Sequence, residues 1–409
     1  MAASWACDAS VFEANLEPGG LCASHYIDRN GRRLSADSAS EIESAYRFEV
    51  GGGHWIFGGD PMVLTFLERL APMRTYERRS AVFFPDRDLQ VPFPLQAHLD
   101  ALPKGVAEQA THEMAQEHSG EIRTMKDWLE ASFGRTLTEI FFGPFHQAYT
   151  AGLWEEIAPQ DTFKSPVSAG NKRITYNSRF RYPEAGLNTM VSRLAERSTM
   201  HYGAVASRID VRAREMHFAN GTVVRYKHLL STIPLNRMIE MCGLDIKEPP
   251  DPATSVLVLN IGARRGPRCP DVHWLYTAGS RSGFFWVGFY SNVDVSFVPR
   301  NQPELVGIYV ERAFQAPHRP SRESELAYCD AVVRELQEWG FIREVEVLEP
   351  VWVNLAYTWR RPDSQWRETA LVALEKEGLH MVGRYARWTF QGIADSIRDG
   401  LVAGAVFRP

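Results

Sequence analysis

The chain has 409 residues, 44% hydrophobic and 23% charged, the balance of a folded globular protein large enough for two or three structural units. Its net charge of −5 gives no pointer to nucleic acid or to an anionic membrane surface, and no apolar run reaches the roughly 18 residues of a spanning helix. Five scattered cysteines (Cys7, Cys22, Cys242, Cys269 and Cys329) form no C-x-x-C pair and argue against a disulfide framework or a zinc site.

In chain order, Met1 to Cys7 reads as the tail of a helix running into a short apolar strand, Ala9 to Phe12, which ends at Glu13. Gly19-Gly20 follows, and Gly51-Gly52-Gly53 stands directly before His54. Such glycines serve either as ordinary turns or as places where backbone approaches a ligand without a Cβ in the way. Residues 61–70 have helical apolar spacing, with Asp60 as N-cap and Pro61 at the first helical position. Residues 74–91 read as a hairpin around Pro85-Asp86. Two prolines then interrupt residues 91–96, which end at Gln96.

Residues 97–150 are patterned as helix and residues 164–186 are basic and aromatic. A helix follows to Arg197, then short strands that include an Asn220-Gly221 turn. Alternating runs between Ser255 and Glu311 predict an antiparallel sheet, and residues 321–339 an amphipathic helix. Near the C-terminus a strand at 379–382 meets Gly383-Arg384, and a helix begins near Ile393. The 11 Trp, 14 Tyr and 22 Phe are either a large core or a stacking pocket for rings and sugars.

Several segments carry a family resemblance. Glu13 with P-G-G at 18–20 resembles the flavin-binding start of the amine oxidase and protoporphyrinogen oxidase superfamily. G-G-H-W-I-F at 52–57, V-P-F-P-L-Q at 91–96 and the aromatic block from Trp128 to Trp154 look like its UDP-galactopyranose mutase branch. The C-terminal G-R-Y-A-R-W-T-F-Q-G-I resembles the element that closes the flavin site.

The resemblance implies an α/β fold: an incomplete Rossmann-like FAD-binding domain (residues 1–70, 187–240 and 370–409), an inserted mainly helical domain (71–186) and an antiparallel sheet domain (241–369). It implies FAD held by Glu13, Gly19, Gly20, Gly52, Gly53, His54, Gly383, Arg384, Gly392 and Ile393, with His54 and Arg384 nearest the chemistry. Arg173, Tyr357, Trp286, Phe390 and Gln96 would meet the substrate, and no metal is implied. A loop arginine in solvent is the alternative reading of Arg173.

Three departures bear on function. The family's G-x-G-x-x-G phosphate loop does not occur in this sequence, so either the start is internal to a longer gene product or another segment or partner fills that place. Trp286 stands where mutases carry a diphosphate-binding Arg, and Phe390 where they carry a Tyr. The leading expectation is a mutase-like enzyme on a sugar nucleotide other than standard UDP-galactopyranose, with flavin N5 as nucleophile and no net redox. The alternatives are an oxidoreductase of the amine oxidase type and a flavin-independent or non-catalytic relative. The expected partner is a small molecule, with no nucleic acid and no membrane. The default compartment is the cytoplasm, and a homodimer is compatible.

Overall fold

The computed structural model describes residues 1–34, 39–116, 120–160 and 178–407. A seven-stranded sheet organises the molecule, in the order Ile342–Thr358, Ala253–Arg265, Leu305–Gln315, Trp286–Phe289, Trp274–Thr277, Ser80–Phe84 and Leu89–Pro92. The hairpin expected around Pro85-Asp86 is formed by the last two strands. The sheet is mixed rather than antiparallel throughout, because Ser80–Phe84 pairs in parallel with Trp274–Thr277. Those strands are far apart in sequence, and only a long crossover can join parallel neighbours.

Both faces of this sheet are covered. Along Ala253–Arg265, Val256 and Val258 face one core while Leu257, Leu259 and Ile261 face another, as the period of two requires. The second core is closed by the helix Arg322–Glu338, which buries Tyr328, Cys329, Val332 and Leu336. Its start is fixed by Ser321, whose side chain accepts the Ser324 N–H. The first core carries most of the aromatic side chains and faces a helical layer.

That layer contains Lys104–Met114, Met125–Leu137 and Gly143–Tyr149. Thr124 and Asp127 form a reciprocal capping box at the second helix. Gly134, at φ 73°, breaks the helical path inside it. Phe133, Phe141 and Phe142 are buried, with the first and last stacked at 4.1 Å between centroids, so these aromatics are core.

Of a doubly wound sheet the structure holds two separate parallel pairs: Ser10–Phe12 with Thr199–His201, and Leu229–Ser231 with Leu379–Met381. Asp60 caps Pro61–Leu70 as expected, its carboxylate accepting the Met62 N–H at 2.8 Å. Among the described residues no helix is long and apolar enough to cross a membrane.

Candidate active site

An antiparallel ribbon sets the geometry. Strands Ser24–Ile27 and Tyr46–Glu49 pair with Ser24 opposite Glu49, and the Val50 N–H donates to the Ala23 carbonyl at 2.9 Å. This register brings both glycine segments to one end of the ribbon, Gly19-Gly20 entering it and Gly51-Gly52-Gly53 leaving it. Gly19, Gly20 and Gly52 have φ of 116°, 57° and 78°, conformations that suit glycine. A Cβ on Gly52 would stand 2.8 Å from Glu311 Oε1, and one on Gly53 would run into the hydroxyl of Tyr309. The loop is therefore a bare-backbone cradle pressed onto the sheet face.

His54 follows it directly. Its Nδ1 lies 3.1 Å from the Gly52 carbonyl, and burial, with Arg384 nearby, holds its pKa below the ordinary histidine value, so the ring is neutral. The Arg384 guanidinium donates to the Ala356 carbonyl at 2.7 Å and lies 4.5 Å from the centre of Phe390 and 5.2 Å from that of Tyr357. His54, Arg384, Tyr357 and Phe390 thus form one cluster at the strand–turn Leu379–Met381 and Gly383. The pKa of the Cys22 thiol, raised to about 12 mainly by burial, also feels both Arg384 and Glu49.

The sheet face beside the cradle is aromatic. Trp274 and Trp286 stack at 5.6 Å, Tyr276 meets Trp286 at 4.8 Å, and Phe93 packs on Tyr276 at 4.4 Å. Trp286 therefore belongs to this aromatic face. Its indole N–H donates to Tyr309 Oη at 3.1 Å, and that of Trp55 to the same oxygen at 3.4 Å. The Arg78 guanidinium lies 4.7 Å from the centre of Phe93 and 5.6 Å from that of Trp274, and burial lowers its pKa. Gln96, 3% exposed, sits in the adjoining turn Leu95–Ala97.

Beneath the cradle lies a buried polar knot. Glu49 is fully buried and accepts from Ser24 Oγ at 3.0 Å and from the Tyr182 hydroxyl. Burial pushes its carboxyl up to about 7, against the pull of Tyr182, Arg47 and Ser24. Ser24 also accepts the Leu187 N–H at 2.9 Å, which ties the ribbon to the helix Leu187–Glu196. All four residues of the Tyr46–Glu49 strand are buried, Arg47 and Glu49 included.

The remaining residues lie around this centre. Glu13 closes the Ser10–Phe12 pair, its N–H donating to His201 at 2.9 Å and its carboxylate accepting from Asn15. It stands at the carboxyl end of a parallel strand, where ligands of such sheets bind. Gly392 precedes the helix Ile393–Val406, and a Cβ on Gly59 would lie 2.8 Å from Ala394, so this helix start abuts the segment after His54. The Asp395 carboxylate accepts the Gly392 N–H at 3.2 Å. Arg173 lies outside the described residues. Among those described, no cluster of His, Cys, Asp or Glu is set to hold a metal ion.

Sequence reasoning passed over Glu49, Arg78, Tyr309 and Glu311. A carboxylate two residues before a triple glycine was a visible signal for the first. The other three reach the site only through long-range strand pairing.

Glycine segments, a neutral histidine, a helix start and a largely buried aromatic sheet face thus lie together, on a fold shared with flavin-dependent enzymes. The chain belongs to the flavin containing amine oxidoreductase family, whose profile matches residues 3–405. No curated protein matches its sequence. Among solved structures it resembles reduced UDP-galactopyranose mutase, with 18% identity and a TM-score of 0.78 over 97% of this chain and 89% of that one. It also resembles a CLA-producing fatty acid isomerase from P. acnes (13% identity, TM-score 0.61, 99% and 95% covered) and putrescine oxidase bound to putrescine (13%, 0.60, 99% and 95%). At these identities the likeness is one of fold. The family implies a flavin; at 51–53 the space beside the glycines is taken by His54, Glu311, Tyr309 and Trp55 of this chain.

Proposed function

We propose that this chain is an FAD-dependent mutase-like enzyme that isomerises an oxygen-rich ring substrate, a sugar nucleotide or a related glycosyl carrier. The observation that supports it most is the aromatic face of Trp274, Tyr276 and Trp286 with the Arg78 guanidinium against it, together with a second guanidinium, Arg384, packed on Tyr357 and Phe390. Aromatic faces suit sugar or base rings, and arginine forks suit phosphate and carboxylate oxygens. In this reading FAD would supply an electron pair to the substrate carbon.

The protein would do the rest. Trp286 and Tyr276 would carry the ring, while Arg78 and Arg384 would hold its anionic oxygens with Tyr357. Glu311 Oε1, beside Gly52, would move a proton at a substrate hydroxyl. His54, held neutral, would donate or accept a hydrogen bond without adding charge. Glu13 and the Gly392–Ile393 helix start would hold polar groups of the cofactor. Five free cysteines accord with a reducing compartment such as the cytoplasm.

A second reading is favoured by one specific feature. The Glu311 carboxylate beside aromatic rings would equally hold an ammonium group, as an amine-oxidising enzyme needs. One experiment separates the two. The purified protein should show a flavin absorption spectrum, and after anaerobic reduction it should interconvert ring isomers in a panel of nucleotide sugars without consuming oxygen. Turnover of an amine with matching peroxide release would replace the mutase reading by the oxidase one. A protein that stays colourless after incubation with FAD would sink both.

A further inference from the structure

A cavity of about 690 Å³ lies between the end of helix Gly143–Tyr149, the turn at Gly279 to Gly283 and the end of strand Leu305–Gln315. None of the residues assigned above to flavin or substrate lines it. Phe284 lines it, while the next residue, Phe285, packs on Tyr149 and Phe145 on the active-site side. Arg312 lines it too, one residue beyond Glu311 and therefore on the opposite face of the strand.

The chemistry of the lining is one-sided. It holds Arg312, His318 and the amides of Gln147 and Gln315, and no Asp or Glu. The described contacts of Arg312 are one bond from Nη1 to the Ser282 carbonyl at 3.1 Å and stacking on Phe314 and Tyr328, each at 5.1 Å. None of these is to a carboxylate, so its charge is oriented but not neutralised. The buried carboxylate of Glu335 is already engaged, accepting from the Arg281 N–H at 2.8 Å, the Ser282 N–H at 2.9 Å and Ser280 Oγ at 3.1 Å. That triple bond set also fixes the turn that forms one rim. Pro144, Ala148 and Phe284 supply an apolar floor.

We infer that this cavity is a binding site for a small amphiphilic anion, a carboxylate or phosphate monoester with an apolar tail. The anionic head lies against the free edge of the Arg312 guanidinium, with the Gln315 amide beside it, and the tail lies on Pro144 and Ala148. A guanidinium held by stacking is pre-organised for such a head group. The site stands independently of the flavin chemistry.

Calorimetric titration of the whole chain with phenyl phosphate, and with benzyl alcohol as the uncharged control, tests this. Saturable binding is expected for the phosphate and none for the alcohol. Arg312→Gln should weaken it by about tenfold, the loss of one charge-assisted contact. Gln315→Glu, at an exposed position, should weaken it similarly by charge repulsion, and it tests the site even if Arg312→Gln folds poorly. The visible spectrum should be unchanged in both variants. Absence of binding, or affinity for phenyl phosphate that both variants leave intact, would overturn the assignment.

Discussion

The Trp286 indole donates to the Tyr309 hydroxyl at 3.1 Å across neighbouring strands, and the Tyr309 ring occupies the space that side chains at Gly53 and Gly288 would need. Gly288→Ala would drive its Cβ into a ring that cannot swing away. It should destabilise the protein by about 1–3 kcal/mol in urea unfolding. Shrinking the ring in the double variant Gly288→Ala/Tyr309→Leu should return part of that loss, because the two sites are in contact. A neutral Gly288→Ala would mean that the interlock is loose.

Glu49 makes stability depend on pH. Its carboxyl is raised from 4.5 to about 7 by burial, so across that window the folded chain keeps a proton that the unfolded chain has released. Stability is therefore highest below the window and falls as pH rises through it, by something on the order of 3 kcal/mol. Glu49→Gln, which keeps the shape without the titration, should flatten the decline between pH 5 and 8. An unchanged slope in the variant would refute a protonated Glu49.

Trp286 and Phe390 set substrate choice under the proposed function. The double variant Trp286→Arg/Phe390→Tyr adds a fork and a hydroxyl where the mutase pattern has them. It should raise affinity for UDP by about tenfold in a calorimetric titration. If affinity does not rise, these two positions do not face the anionic part of the ligand.

Asp60 offers a test of local structure alone. Its carboxylate accepts the Met62 N–H at the start of Pro61–Leu70, and Asp60→Ala should lower stability by about 1 kcal/mol. A thermal melt shows this as a drop in Tm, with the visible spectrum retained.

Elements governed by neighbours in sequence were legible in advance. The Asp60-Pro61 start and the onset of helix Ile393–Val406 each rest on one or two adjacent residues and are where the pattern put them, and the helix read over 321–339 runs Arg322–Glu338. What escaped was decided by pairing at long range. Nothing near Ser80 announces a parallel partner at Trp274, and nothing near Tyr309 announces Gly53 and Gly288 against its ring. Arg47 and Glu49 are enclosed by Ser24, Tyr182 and Phe297, partners that are likewise set by long-range packing.

The Ser24–Glu49 pairing also limits how this site can change. Both glycine segments hang from one end of a single four-residue ladder, so neither can shift along the chain without the other. One residue inserted in either strand would turn the strand over, carry Glu49 out of its knot and part the two loops in the same step. The aromatic wall belongs to a different sheet and is tied to this ladder through Tyr309, which bonds Trp286 and packs against Gly53. The fold thus makes the two glycine loops one inherited unit, which can be kept or lost but not moved in halves.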